Sequence, residues 1–244
     1  RKKLEEQLMH LALQDTMTGL PNRSLFLDRL RQAFERARQR KNDQSLAIIF
    51  LDLDRFKQIN DSLGHFLGDR ILKEVARRIV QCRDEGWDRA PEGGPSGSDH
   101  ASRFGTVARL GGDEFTVLIE EIRSLQDATD AVSHIQEAFT QPIIVEGHEH
   151  FITLSVGIVV GPADYERAED LLRDADTAMY RAKAGGRGRY EVFNQKMLAL
   201  VREQFRLETD LHRAVERRQL RLLYQPIVDL ESGLPVRFEA LLRW

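Results

Sequence analysis

Apolar residues along this chain recur with two periods, and the period changes from segment to segment. At the start, Leu4, Leu8 and Leu11 alternate steps of four and three, which predicts a helix over residues 1–14. Such a helix is either the end of a coiled coil or an amphipathic helix packed on its own domain. The turn-rich run D-T-M-T-G-L-P-N (Asp15 to Asn22) breaks the pattern. A second helix follows, with Phe26, Leu30, Ala33, Phe34 and Ala37 on one face. Leu46 to Leu53 reads as a buried strand ending in acid, at Asp52 and Asp54. Gly68 to Val80 returns to helical spacing, with Ile71, Leu72, Val75 and Ile79 inward. Val107 to Leu110 and Phe115 to Glu120 are short strands around Gly111-Gly112, a hairpin signal. Then come a helix from Leu125 to Phe139, strands near Ile143 and from Phe151 to Val160, and a helix carrying Ala168, Leu171, Leu172, Ala175, Ala178, Met179 and Ala182. A short strand, Tyr190 to Phe193, follows a glycine-rich exit. The stretch from Asn194 to Leu220 reads as a connector helix, and two strand-like runs, Leu222 to Val228 and Val236 to Leu242, follow it. Strands and helices mix without strict alternation, so the expected body is α+β with a mostly antiparallel central sheet flanked by helices.

Asp84 to Gly105 fits neither period. Five glycines, two prolines and three serines among polar residues predict a flexible surface loop. At 244 residues and 41% apolar, the chain is long enough to bury a full core without disulfides or zinc. Its longest apolar run here, Leu46 to Leu51, is far shorter than the ~20 residues that span a bilayer. The single cysteine, Cys82, excludes an intrachain disulfide and fits a reducing, cytoplasmic compartment. A net charge of −3 offers no general field for nucleic acid, so phosphate binding must come from local clusters. The chain has no initiator Met and stops within an apolar pattern at Trp244, and is expected to be a piece of a longer protein.

Three places concentrate candidate chemistry. Asp52 stands where a buried strand leaves the core, and a carboxylate there is costly unless it meets a cation. In R-L-G-G-D-E-F, Gly111 and Gly112 let the backbone approach a ligand, and Asp113 and Glu114 follow at once. Carboxylates from neighbouring strands are a usual way to hold Mg²⁺ beside substrate phosphates. Lys183 and Arg187, at a helix C-terminus and in its glycine exit, suit phosphate oxygens. Taken singly, each has a plain alternative: a solvated strand end, a wet hairpin turn, or a complement to the helix dipole.

Together these segments resemble the GGDEF (diguanylate cyclase) family. G-G-D-E-F at Gly111 to Phe115 is similar to its signature, and D-T-M-T-G-L-P-N-R at Asp15 to Arg23 to its opening motif. D-L-D-R-F-K-Q-I-N-D-S-L-G-H from Asp52 to His65, with Gly68-Asp69, resembles its metal and guanine segment. A-D-T-A-M-Y-R-A-K-A-G-G-R from Ala175 to Arg187 resembles its final helix. The resemblance implies a fold related to nucleotide cyclases and polymerase palms, with βααββαβ-type connectivity. It implies condensation of two GTP into cyclic di-GMP and two pyrophosphates by a homodimer using Mg²⁺ or Mn²⁺. Asp52, the Leu53 carbonyl, Asp113 and Glu114 would hold metal, with Asp113 also the candidate base for the 3′-hydroxyl. Asn60 and Asp69 would read the guanine edge, Phe56, Lys57, Gly111 and Gly112 would line the substrate site, and Lys183 and Arg187 would hold the terminal phosphates.

There are departures. Many members carry an inhibitory product site, Arg-x-x-Asp, upstream of the signature; here those positions are Ser102 and Gly105. Gly188 stands where Asn or Asp is common. The tail resembles the opening of an EAL phosphodiesterase domain, through L-L-Y-Q-P-I-V-D at Leu222 to Asp229 and E-A-L-L-R-W at Glu239 to Trp244. There Glu239 would be a metal ligand, but the segment is far short of the roughly 250 residues of a barrel and could not hydrolyse cyclic di-GMP. The implied organisation is a linker helix (1–14), a cyclase domain (15–193), a connector (194–220) and the start of an EAL domain (221–244). The competing function is a catalytically silent GTP-binding domain that regulates such a phosphodiesterase.

Overall fold

The computed structural model describes residues 12–39, 45–85, 104–163 and 165–244. All but the last three residues of the helix expected over 1–14, and most of the loop expected over 84–105, lie outside them. The chain divides into two compact units, one up to Met197 and one from Leu198 to Trp244.

The first unit runs α1 (Arg23–Gln39), β1 (Ser45–Leu53), α2 (Phe56–Leu63), α3 (His65–Asp84), β2 (Phe104–Gly111), β3 (Glu114–Ile122), α4 (Leu125–Ala138), β4 (Ile143–Val145), β5 (His148–His150), β6 (Leu154–Gly161), α5 (Ala168–Ala184) and β7 (Tyr190–Val192). Its five-stranded sheet has the order β2-β3-β1-β6-β7. Pairing is antiparallel except for β6 with β7. The fold is therefore α+β with a mostly antiparallel central sheet, as the pattern predicts.

β1 lies at the centre and is buried on both faces, which explains its continuous apolar run. Its side chains still alternate. Ala47, Ile49, Leu51 and Leu53 pack with α3 and α4, through Ile71, Val75, Ile79, Ala128, Val132 and Ile135. Leu46, Ile48 and Phe50 pack with α1 and α5, through Phe26, Leu30, Leu171, Ala175 and Met179. The next residue on that second face is Asp52, so period two turns it toward α5. α5 itself lies unusually close to the sheet. A Cβ at Gly157 on β6 would stand 2.0 Å from the Ala175 carbonyl oxygen, so only glycine admits the helix at this distance.

Four boundaries differ from the sequence reading. α2 is a full helix where the pattern suggests only a strand exit; it is only eight residues long, with Phe56 buried and Ile59 partly buried against the core, so its stripe of Phe56, Ile59 and Leu63 is too short to stand out. β4 and β5 form a separate hairpin, and β6 starts at Leu154 rather than Phe151. Glu146 and Gly147 turn that hairpin with positive φ, and a Glu in the first position hides the usual turn signal. Finally, β2 already begins at Phe104, so Gly105 belongs to the sheet and not to the loop. A Cβ there would meet the Leu118 carbonyl oxygen at 2.0 Å.

The second unit holds most of α6 (Gln195–Ala214) and an antiparallel hairpin of β8 (Arg221–Val228) and β9 (Pro235–Arg243). Asp229 orders the turn by accepting from Ser232 N at 2.7 Å and Ser232 Oγ at 2.8 Å. Glu239 lies opposite Gln225 in the ladder.

Candidate active site

Register brings the acids together. Asp52 is the cross-strand partner of Glu114, and partners in a ladder project from the same face. Asp113 precedes Glu114, and its carbonyl accepts Leu53 N at 3.4 Å. Lys183 comes from the last turn of α5, and its Nζ lies 2.7 Å from Asp52 Oδ2. Asp52 is only 4% exposed. It is therefore not a solvent-facing strand end but a buried carboxylate whose partner is one ammonium.

The electrostatics follow from this crowding. Burial pushes the Asp52 carboxyl up to about 6; the Asp113 and Glu114 charges push the same way, and Lys183 opposes them. Glu114 is also raised, first by burial and then by the charges of Asp176 and Asp113, against Arg23 and Lys183. Such a set of acids is relieved by a cation. Among the described residues, no three carboxylate, imidazole or thiol groups form a closed metal cage. Mg²⁺ is ordinarily held by one or two carboxylates plus substrate phosphates and water. The donor set at Asp52, Leu53, Asp113 and Glu114 thus fits a hard divalent ion completed by a nucleotide.

Two further clamps shape the rim. Gly111 and Gly112 both have positive φ, 144° and 53°, and no atom lies within 4 Å of where their Cβ atoms would be. Their backbone needs glycine for conformation, and the space beside them is open. Arg109 fastens this turn from beneath. Its guanidinium donates to the Gly112 carbonyl at 2.7 and 3.0 Å and to both Asp15 oxygens at 2.9 and 3.1 Å. Asp15 also accepts from Thr18 N and Thr18 Oγ1. Burial raises its carboxyl pKa, but these Thr18 and Arg109 hydrogen bonds outweigh burial and hold it below the ordinary value.

Asp54 is the second clamp. Its carboxylate accepts from Thr153 Oγ1 at 2.7 Å, Ser155 Oγ at 2.6 Å and Gly188 N at 2.9 Å. It ties the end of β1 to the start of β6 and to the glycine exit that carries Arg187. Gly188 has a φ of 59°, which accounts for glycine where Asn or Asp is the expected residue.

The predicted base-reading pair sits between α2 and α3. Asn60 Oδ1 is buried and accepts no hydrogen bond among the described residues. A Cβ on Gly68 would stand 1.9 Å from that oxygen, so a glycine is what leaves room for the amide. Asp69 follows directly and is half-buried, while Phe56 is buried beside Gly68. An unpaired buried acceptor is costly unless something donates to it.

The structure separates two residues that the sequence places together. Lys183 is on Asp52, whereas Arg187 lines a cleft of about 610 Å³ with Asp54, Arg55, Gln58, Phe151 and Thr153. Lys57 is exposed on α2. Arg109, Asp15, Asp54 and Asp176 are contributors that motif reading leaves without a role. Arg109 and Asp54 had a signal, a charge inside or directly after a buried strand. Asp176 is seven residues before Lys183, two turns along one helix face.

A family model described as "Diguanylate cyclase, GGDEF domain" matches residues 12–88 and 98–189. The chain is 42% identical over 245 residues to the bifunctional diguanylate cyclase/cyclic di-GMP phosphodiesterase MucR of Pseudomonas aeruginosa, covering 99% of this chain and 32% of that protein. It is 36% identical over 237 residues to the cyclic di-GMP phosphodiesterase NbdA of the same organism, covering 97% of this chain and 28% of that one. It therefore spans a third or less of these two relatives. Among solved structures, the GGDEF domain of YfiN (TpbB) from Pseudomonas aeruginosa matches with a TM-score of 0.61 and 36% identity, over 72% of this chain and 98% of that chain. The coiled coil and GGDEF domain of DgcB from Caulobacter crescentus, in complex with cyclic di-GMP, matches with a TM-score of 0.63 and 27% identity, over 78% and 91%.

Proposed function

Because this chain belongs to the GGDEF family, we propose that its first unit is a diguanylate cyclase module, condensing two GTP into cyclic di-GMP and two pyrophosphates. The observation that carries this reading is the register pair Asp52 and Glu114, set beside Asp113 and backed by Lys183. Mg²⁺ or Mn²⁺ would be held by Asp52, the Leu53 carbonyl, Asp113 and Glu114, and when bound would neutralise charge developing on the phosphates.

The chain's own residues do the rest. The buried Asn60 oxygen takes a guanine N–H, and the Asp69 carboxylate accepts another. Gly111 and Gly112 leave the nucleotide room above the turn that Arg109 holds. Asp113 accepts the proton of the attacking 3′-hydroxyl. Lys57, Lys183 and Arg187 neutralise phosphate oxygens, with Phe56 filling the base of the helix pair. Catalysis is then positioning and charge neutralisation. One such site holds one GTP, so product formation requires two copies facing each other.

Incubating the chain with GTP and Mg²⁺ and separating products by chromatography tests this. Cyclic di-GMP should form, and Asp52→Asn and Glu114→Gln should each abolish it. Guanine recognition should give a clear preference for GTP over ATP. Binding of GTP without product in the unmodified chain would instead identify a silent regulatory domain. We further propose that residues 1–14 are a linker helix, 15–193 the cyclase domain, 194–220 a connector and 221–244 the opening of an EAL domain. The pairing of cyclase and phosphodiesterase in the name of MucR supports a phosphodiesterase segment in the same chain as the cyclase.

A further inference from the structure

Lys183 has two claims on it. Its place in the motif assigns it to substrate phosphates, yet in the structure its ammonium is 2.7 Å from Asp52 Oδ2. Asp52 is buried and ion-paired with Lys183, and the negative charges of Asp113 and Glu114 act on the same carboxylate. An ion pair at this depth is much less screened than one at the surface. The same oxygen cannot face an ammonium and a divalent cation at once.

We propose that Lys183 is a tethered placeholder for the metal, and that it sets the order of binding. With no nucleotide present, its ammonium neutralises Asp52 and keeps divalent cations from the site. A triphosphate offers Lys183 an alternative set of anionic oxygens. The side chain then swings from carboxylate to phosphate, and Asp52 is freed at the moment the metal arrives with the nucleotide. Lys183 is 30% exposed, so its head can leave without unpacking α5. Its neighbour Ala182, by contrast, is fully buried and keeps the helix in place. Binding is thereby ordered: metal alone binds weakly, and metal with nucleotide binds tightly. The inference rests on the reading of Asp52 as a metal ligand.

The test is titration of the 244-residue chain with Mn²⁺ at pH 8, followed by electron paramagnetic resonance of free Mn²⁺, with and without a non-hydrolysable GTP analogue. Lys183→Met removes the competing cation while keeping the length of the side chain; Lys183→Arg keeps a cation in place. Without nucleotide, Lys183→Met should bind Mn²⁺ about tenfold more tightly than the unmodified chain, the smallest effect expected of one opposite charge in direct contact. Lys183→Arg should stay near the unmodified value. With the analogue present, the advantage of Lys183→Met should vanish or reverse, because the phosphates have lost a partner. Lys183→Met binding Mn²⁺ alone no more tightly than the unmodified chain would overturn the placeholder, provided the unmodified chain takes up Mn²⁺ with the analogue in an Asp52-dependent way. If Asp52→Asn/Lys183→Met binds Mn²⁺ as tightly as Lys183→Met, the metal is not at Asp52, and the functional reading fails together with the inference.

Discussion

Three donors converge on Asp54, a carboxylate with no direct part in the proposed chemistry. Replacing it by alanine leaves Thr153 and Ser155 hydroxyls and the Gly188 amide without their acceptor. A network broken in this way typically costs about 2–4 kcal/mol. Asp54→Ala should therefore lower the urea midpoint clearly, and should weaken GTP binding because the Arg187 loop loses its anchor. An unchanged midpoint would show that these hydroxyls find other partners. Asp15 differs, since its worth depends on pH. Its pKa is lowered on folding, so its contribution is complete above the unfolded value of 3.8 and disappears as pH falls through the folded value. Asp15→Asn should destabilise the chain by about 1–3 kcal/mol at pH 7, because the buried Arg109 loses a charged acceptor. Denaturation at pH 7 and at pH 3 should show that difference shrinking in acid. Equal loss at both values would remove the charge from the explanation.

At the scale of elements, the site depends on how closely neighbouring segments approach. α2 and α3 meet where Gly68 faces Asn60, and an added methyl would displace the amide and not the backbone. Gly68→Ala should thus weaken GTP binding at least tenfold while changing stability little, since helix propensity favours alanine. Calorimetric titration with a GTP analogue beside a thermal melt checks both. Gly157→Ala is the contrasting case. Its new methyl would meet the Ala175 carbonyl and Met179 N, both backbone atoms of α5. The helix itself must move, and the expected loss is about 1–3 kcal/mol of stability. A mild effect on melting there would mean that α5 can slide on the sheet, and with it Lys183.

For the whole molecule, one site per chain has a kinetic consequence. On the proposed reading, in which two loaded copies face each other, specific activity should rise with protein concentration. A constant value across the range where sedimentation shows monomer would contradict the paired arrangement. Feedback should be weak. The position where an inhibitory aspartate is expected is Gly105, and the Leu118 carbonyl 2.0 Å from its would-be Cβ leaves no room for a side chain. With the active site filled by a GTP analogue, titration calorimetry should detect no second, tight site for cyclic di-GMP. A saturable second site would show that another part of the chain supplies the missing groups.

Periodicity and motif spacing were enough to read the α+β class, the central buried strand, the Gly-Gly hairpin and the final helix with its lysine. These depend on local composition: runs, alternation and turn residues. α2 and the β4–β5 hairpin escaped because one is only eight residues long, with three apolar positions (Phe56, Ile59 and Leu63), and the other hides its turn behind Glu146. The acids were visible as candidates, because charge next to a buried strand stands out. Their relations were not visible. That Glu114 faces Asp52 is a matter of register between strands sixty residues apart in sequence. That Lys183 reaches Asp52 depends on the face to which α5 is bound, and on Gly157 letting it come close. Arg109 under the turn, and Asp54 across three segments, join residues about a hundred positions apart. Sequence determines which side chains carry charge and which segments are buried. Only tertiary packing decides which charges meet, because a hydrogen bond acts over ångströms and is indifferent to distance along the chain.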